Sequence, residues 1–338
     1  MCNRCDMAQP TIRWGIIGCG DVAEYKSGPA LYRTPGSELV AVMRRDAAKA
    51  QDFARRHGAK RWYTDAESLV ADPEVNAVYI ASPHDGHPEH VALAARARKI
   101  VLCEKPMGVN VAQAQACVDV CKTNDVPLTV AYYRRFWPIA QAMRQFLREG
   151  AIGQVVHVRA QVTDYFAGDN ERSWLTSLAK SGGDALANAG AHWVDLIRFL
   201  LGDVADVMAY CSSKFSGFET DDTAIVQMRL VDGALVSLTS TRQTPVSTNE
   251  LDIFGTEGRL YASPLSDGRL VLHQRGRAPE VLPYPRHGVT HSELVAELVK
   301  CMLNDQPSPL PGEEAVTVWK IMEAAYRSSA EGVRITVK

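Results

Sequence analysis

The chain has 338 residues, of which 46% are hydrophobic and 22% charged, and a formal net charge of −2. That length suits two domains and that composition an ordinary soluble globular protein. The near-neutral charge excludes a global basic field of the kind that holds nucleic acid or an anionic membrane. No apolar run reaches the length of a membrane span. Met1-Cys2-Asn3-Arg4-Cys5-Asp6 carries no apolar signal core, so a cytoplasmic location is expected. Eight scattered cysteines do not make a disulfide scaffold. Cys2 and Cys5 form a lone C-x-x-C and read as incidental thiols, because no second pair completes a tetrahedral metal site.

In chain order, Ile12, Trp14, Ile16 and Ile17 predict a short apolar strand, followed by Gly18-Cys19-Gly20-Asp21-Val22-Ala23 as G-x-G-x-x-A. A strand that passes through such a turn into a helix cradles a phosphate. Gly18 permits the turn, Gly20 lets a pyrophosphate approach the backbone, and Ala23 keeps the helix close to the sheet. The helix opening at Asp21 and Val22 presents free N–H groups and partial positive charge to the anion. Pro29 predicts a break in a helix over about 22–32. The second strand, 39–43, ends in Arg44-Arg45-Asp46. An acid at that strand end holds the ribose of NAD, whereas Arg44 in its place suits a 2′-phosphate, so NADP is expected with NAD as the alternative. Arg45 adds charge or faces solvent, and Asp46 caps a helix over 47–57 that Gly58 closes.

A strand over 75–81 leads into Ser82-Pro83-His84-Asp85-Gly86-His87-Pro88, a loop at the edge where ligands sit in parallel sheets. A helix over 89–97, a strand over 100–103 ending in Glu104-Lys105-Pro106, a helix over 111–124 and a strand over 128–131 complete an alternating pattern. This predicts an α/β fold whose first part, 10–132, is a doubly wound parallel sheet. The character then changes over 133–338. A helix over 134–149 precedes a strand with Val156, Val158, Ala160 and Val162 on one face and His157, Arg159 and Gln161 on the other. Further strands are expected near 205–213, 223–230, 234–242, 249–254, 258–262 and 269–273, with Asp232-Gly233 as a hairpin turn. Helices are expected over 191–201, 288–303 and 313–330. The second part is therefore an α+β domain with an open, mostly antiparallel sheet. Its uncovered face predicts a homodimer or homotetramer.

G-x-G-x-x-A at 18–23, E-K-P at 104–106, Y-Y-R-R-F at 132–136 and G-G-D-A-L-A-N-A-G-A-H-W-V-D-L at 182–196 together resemble the Gfo/Idh/MocA oxidoreductase family over nearly the whole chain. The resemblance implies a Rossmann domain joined to a substrate domain and NAD(P)-dependent redox chemistry on a sugar, polyol or related cyclic alcohol. It implies that Lys105 polarises the substrate oxygen, that Pro106 forms a cis peptide and that His192 acts as general acid and base. Glu104 either pairs with Lys105 or closes a backbone contact, and Asp195 either orients His192 or serves the helix N-terminus. Asn188 stands where many members carry Asp, and an amide cannot relay a proton. Ser82, Pro83, His84, His87, Glu104 and Arg134 fall on the cofactor side, and Tyr132, Tyr165, Arg172, Trp174 and Asn188 on the substrate side. His84, His87 and Cys103 do not have zinc spacing. Two other readings share the fold: a glycosidase that uses bound NAD transiently, and a non-catalytic cofactor sensor. Intact Lys105-Pro106 and His192 argue against the sensor.

Overall fold

Strands rich in Val, Ile and Leu, with no polar face, form where both sides of a sheet are covered, and the first half of the chain is built this way. In the computed structural model, which describes residues 11–168, 172–286 and 288–338, β1 (Ile12–Ile17), β2 (Ser37–Met43), β3 (Arg61–Tyr63), β4 (Ala77–Ile80), β5 (Ile100–Cys103) and β6 (Leu128–Val130) form one parallel sheet. Its order is β3-β2-β1-β4-β5-β6. The order reverses beside β1, so the C-terminal ends of β1 and β4 open the crevice in which such sheets bind ligands. Cys2 and Cys5 lie outside the described residues.

The helices of this half are α1 (Gly28–Arg33), α2 (Ala47–His57), α3 (Ala66–Ala71), α4 (His87–Arg96) and α5 (Val111–Thr123). Asp46 accepts from the Lys49 N–H at 3.1 Å and Gly58 closes α2 in a left-handed conformation, both as the sequence predicts. The expected helix over 22–32 is split into a wide π turn, Ala23–Ser27, and α1. Pro29 has no N–H to continue the first segment and sits in the first turn of the second, which opens at Gly28. The short edge strand β3 and the helix α3 were not legible in the sequence, because three residues and six residues are too few for periodicity to show.

The second half opens with a 3₁₀ turn, Tyr133–Phe136, and α6 (Pro138–Arg148), so the predicted single helix starts later than expected, at its proline. A nine-stranded sheet follows. Its strands are β7 (Val155–Tyr165), β8 (Val204–Ser212), β9 (Thr223–Leu230), β10 (Leu235–Thr241), β11 (Gln243–Gly255), β12 (Gly258–Ala262), β13 (Arg269–Gln274), β14 (Glu280–Pro283) and β15 (Ile335–Thr336). The order is β14-β13-β12-β11-β7-β10-β9-β8-β15, antiparallel except where β7 and β10 run parallel. Val158, Ala160, Val226, Leu238 and Ile253 are buried on the covered face. Met208, Tyr210, Ile225 and Leu235 are exposed on the other.

The remaining helices are α7 (Leu178–Ser181), α8 (Ala191–Leu201), α9 (Ser292–Leu303) and α10 (Gly312–Glu331). α10 packs on β8 and also on α5 and β6, so it bridges the two sheets, while α9 packs on α1 and β1. Among the described residues no helix is long and apolar enough to cross a membrane.

Candidate active site

The glycine-rich turn is held from behind. Gly18 has φ +89°, and a Cβ there would stand 2.7 Å from the Ser82 backbone nitrogen, so only glycine fits. Gly20 differs: a Cβ there would meet nothing within 4 Å and would project into open space. That space is where a phosphate would approach the N–H groups at the helix start. Gly20, Asp21 and Arg44 line an open cleft of about 490 Å³ together with Glu24, Lys49 and Arg56. Arg44 donates to the Cys19 carbonyl at 3.2 Å, which holds its guanidinium at the cleft wall. Arg56 is already paired with Glu24 and Asp52. Arg45 is exposed and does not line the cleft, and Ala23 is buried beneath the turn. These residues fit a dinucleotide: an unobstructed cradle, a helix start, and a guanidinium at the end of β2.

A second, narrower cavity of about 120 Å³ lies beyond the ends of β4 and β5. Val22, Ser82, His84, His87, Glu104, Lys105, Arg172, Trp174, Asn188 and His192 line it, so residues read from distant motifs meet there. Pro83 starts the turn that carries His84 but is not in the wall. Tyr132 is fully buried and does not reach the cavity; the 3₁₀ turn after β6 brings Tyr133 there instead. Arg134 also lies behind the wall, its guanidinium 4.9 Å from the Trp193 ring centre and 5.8 Å from that of Trp137. Tyr165 is exposed at the end of β7, away from the cavity. Lys26 and His291 line the cavity without any local signal in the sequence. Lys26 rides on the π turn one helical turn beyond Val22, and His291 directly precedes α9.

Lys105 lies two residues beyond β5 and is joined to Pro106 by a cis peptide. Its Nζ donates to the Asn188 carbonyl at 2.8 Å and to Asn188 Oδ1 at 2.9 Å. Asn188 is oriented in turn by Nδ2 donating to Asp184 at 2.9 Å, and Asp184 accepts from Arg242 at 3.0 Å. Asp221 fixes the surrounding turn by accepting from the Asp184 and Leu186 N–H groups at 2.9 and 2.7 Å. Burial lowers the Lys105 pKa to about 7, against the raising effect of Glu104 and with the help of the Lys26, Arg134 and Arg242 charges. Glu104 makes no ion pair with the Lys105 ammonium; it accepts from the Lys105 backbone N–H at 3.1 Å, from Tyr79 at 2.6 Å and from His291 at 2.8 Å. Burial would raise its pKa, but His291 and Tyr79 outweigh that and hold it at about 2.

His192 stands on the first turn of α8. Its Nδ1 is buried without a hydrogen-bond partner among the described residues, and the residue lines the cavity. Burial, then the charges of Lys105 and Arg134, push its pKa well below the usual histidine value, so it is neutral near pH 7. Asp195 does not orient it. That carboxylate accepts from Arg135 at 2.8 Å, and Arg135 also binds Glu314, so a buried guanidinium has drawn Asp195 away from the histidine that shares its side of the helix. His84 donates from Nδ1 to the Ser181 carbonyl at 2.9 Å and meets the Trp174 ring edge-on at 4.6 Å. His87 lies between the carbonyls of Pro106 and Ser82, at 3.0 and 2.8 Å, and burial takes its pKa down to about 4.

A family model described as "Oxidoreductase family, NAD-binding Rossmann fold" matches residues 12–132, and one for the GFO/IDH/MocA C-terminal domain matches residues 140–261. Oxidoreductase P35 of Formosa agariphila is 41% identical over 201 residues, which span 58% of this chain and 62% of that protein. The 1,5-anhydro-D-fructose reductase of Ensifer adhaerens is 30% identical over 78% of this chain and 77% of its own length. A levoglucosan dehydrogenase solved with NADH and levoglucosan superposes with a TM-score of 0.89 at 22% identity, over 97% of this chain and 99% of that one.

The Lys105–Asn188 contact makes a direct prediction. In Asn188→Asp a carboxylate replaces a neutral amide against Nζ, and the Lys105 titration midpoint should rise from about 7 by roughly one to three units. NMR titration of the protein labelled with ¹³Cε-lysine reads this directly; an unmoved midpoint would show that the residue at 188 does not set it.

Proposed function

Because the chain belongs to the Gfo/Idh/MocA family and is an NAD(P)-dependent dehydrogenase or reductase, we propose that it moves a hydride between a nicotinamide cofactor and a sugar, polyol or related cyclic alcohol or carbonyl. One observation carries the reading: Lys105 and His192 line the same small cavity beside the glycine-rich turn. An ammonium has three donors. Asn188 takes two of them, leaving one to hold a substrate oxygen and stabilise alkoxide charge as it develops. Neutral His192 takes the hydroxyl proton during oxidation and returns it during reduction. The nicotinamide, when bound, accepts or donates the hydride. Asn188 is a holder in this scheme, since an amide cannot relay the proton. Arg172 and Trp174 supply a charged fork and an aromatic face for a polyhydroxylated ring. The names of the anhydrofructose reductase and the levoglucosan dehydrogenase support a carbohydrate-like substrate. A cytoplasmic location, where both dinucleotides circulate, fits this chemistry.

The cofactor cradle runs from Gly18 to Ala23, with Ser82 behind it. Arg44, held at the cleft wall by the Cys19 carbonyl, favours NADP over NAD, because a guanidinium makes forked, charge-assisted bonds to a phosphate. Met208, Tyr210, Ile225 and Leu235 on the uncovered sheet face support a homodimer or homotetramer formed through that face.

Three measurements check these readings. With a panel of sugars and polyols and both cofactors, Lys105→Ala should lower kcat at least ~10²-fold with little change in cofactor affinity. His192→Ala should lose a similar order and change the pH profile; near-wild-type turnover in either variant removes that residue from the chemistry. In direct titration NADPH should bind more tightly than NADH, with Arg44→Asp reversing the order, and equal or tighter NADH binding in the wild type refutes the role given to Arg44. Sedimentation at micromolar concentration should show an oligomer that Tyr210→Lys with Ile225→Lys dissociates, and a wild-type monomer would sink the interface.

A further inference from the structure

His291 is joined to Glu104 across 187 residues of sequence and has no part in the chemistry above. Although it lines the cavity, both of its ring nitrogens are engaged. Nε2 donates to Glu104 Oε1 at 2.8 Å, and Nδ1 lies 3.0 Å from Thr290 Oγ1 and 3.1 Å from the Lys26 carbonyl. The His291 backbone N–H and the Thr290 hydroxyl both donate to that same carbonyl, each at 3.3 Å. Trp137 Nε1 closes the arrangement by donating to the Thr290 carbonyl at 3.1 Å, and the Tyr133 ring centre lies 4.3 Å from that of the imidazole. The ring is 1% exposed, so it offers no nitrogen to a substrate and differs in this from His192.

We propose that His291 is a positioning residue for Lys105: from the C-terminal half of the chain it locks the Glu104 carboxylate against the Lys105 backbone and ties down the Lys26 carbonyl beyond the glycine-rich turn. The inference rests on the reading of Lys105 as the polarising cation. Glu104 sits at the end of β5 and binds donors from three places: Tyr79 on β4, its own neighbour Lys105, and His291 ahead of α9. A buried carboxylate that loses the partner holding one of its oxygens is free to turn, and its pull on a neighbouring charge weakens as the distance grows. Glu104 is the carboxylate whose charge raises the Lys105 pKa, against the larger effect of burial and the charges of Lys26, Arg134 and Arg242. His291 therefore acts on Lys105 through Glu104. The groups facing the imidazole are Glu104, the Lys26 carbonyl, Thr290, Tyr133 and, through its charge, His192, and of these Glu104 alone is hydrogen-bonded to both His291 and Lys105.

The test needs no substrate. The full chain is labelled with ¹³Cε-lysine and the Lys105 signal, assigned by its loss in Lys105→Ala, is titrated by NMR. His291→Ala should lower the Lys105 midpoint by roughly one unit, the scale of one nearby charge. His291→Gln, whose amide N–H can reach Glu104, should restore most of it. Glu104→Gln should lower the midpoint as well, and the double variant His291→Ala with Glu104→Gln should titrate like Glu104→Gln alone. An unchanged midpoint in His291→Ala, no recovery in His291→Gln, or additive shifts in the double variant overturns the proposal. If His291→Ala does not fold, Glu104→Gln and His291→Gln carry the test: an unmoved midpoint in Glu104→Gln, or a shift in His291→Gln as large as that of Glu104→Gln, overturns it. Failure of Lys105 as a catalyst appears in the Lys105→Ala rates and leaves this titration unaffected, so the two outcomes stay separate.

Discussion

An ammonium group in a poorly solvated wall is the constraint on which the site depends. Lys105 Nζ is held by two oxygens of one neutral residue, Asn188, rather than by a carboxylate. A neutral holder fixes direction without adding the charge that would pin the proton, and burial then brings the pKa to about 7. The carboxylate nearest in sequence, Glu104, spends its two oxygens on Tyr79, His291 and the Lys105 N–H. Lys105 is thus aimed from one side by the end of a parallel strand and from the other by the turn that leads into α8. The cavity lies where those two elements meet the π turn and the segment before α9.

Ionic contacts around buried guanidiniums fix the second of those elements. Arg242 joins Asp184 and Asp164, linking the turn before α8 to β7, while Arg135 joins Asp195 on α8 to Glu314 on α10. Such pairs repay little of their desolvation cost, so their contribution here is geometric: each removes alternatives to one packing of the layers. The raised pKa of Asp195, about 6, shows the cost, since burial pushes it up despite the adjacent guanidinium. Asp195 serves the packing of α8 on the rest of the domain, and His192, one turn earlier on the same helix, inherits its position from that packing.

The superposition with solved structures at 22% identity shows how far this frame tolerates sequence change. The backbone requirements are few. A glycine at position 18 must adopt φ +89° against the Ser82 nitrogen, and the open space at Gly20 must stay open. Side chains on the loops around the cavity, such as Arg172 and Trp174, carry no comparable backbone demand.

The sequence alone determined the elements and the chemistry-bearing motifs. Alternation of apolar residues, the Asp46 cap, the Gly58 stop and the G-x-G-x-x-A turn all show within a few residues of sequence, so a local reading finds them. The short β3, β14, β15, α3 and α7 escaped because their pattern is too brief to read. Within the candidate site, Lys105, Asn188 and His192 were legible as motif residues, and the cavity gathers them. Tertiary packing alone decided the rest. One residue of offset in the 3₁₀ turn after β6 puts Tyr133 rather than Tyr132 in the wall. Arg135, which also binds Glu314 on another helix, claims Asp195, and Tyr165 is left in solvent at a strand end. His291 reaches Glu104 because the segment before α9 returns to the first sheet. Contacts between residues so far apart are set by how layers pack, and no local pattern of residues encodes them.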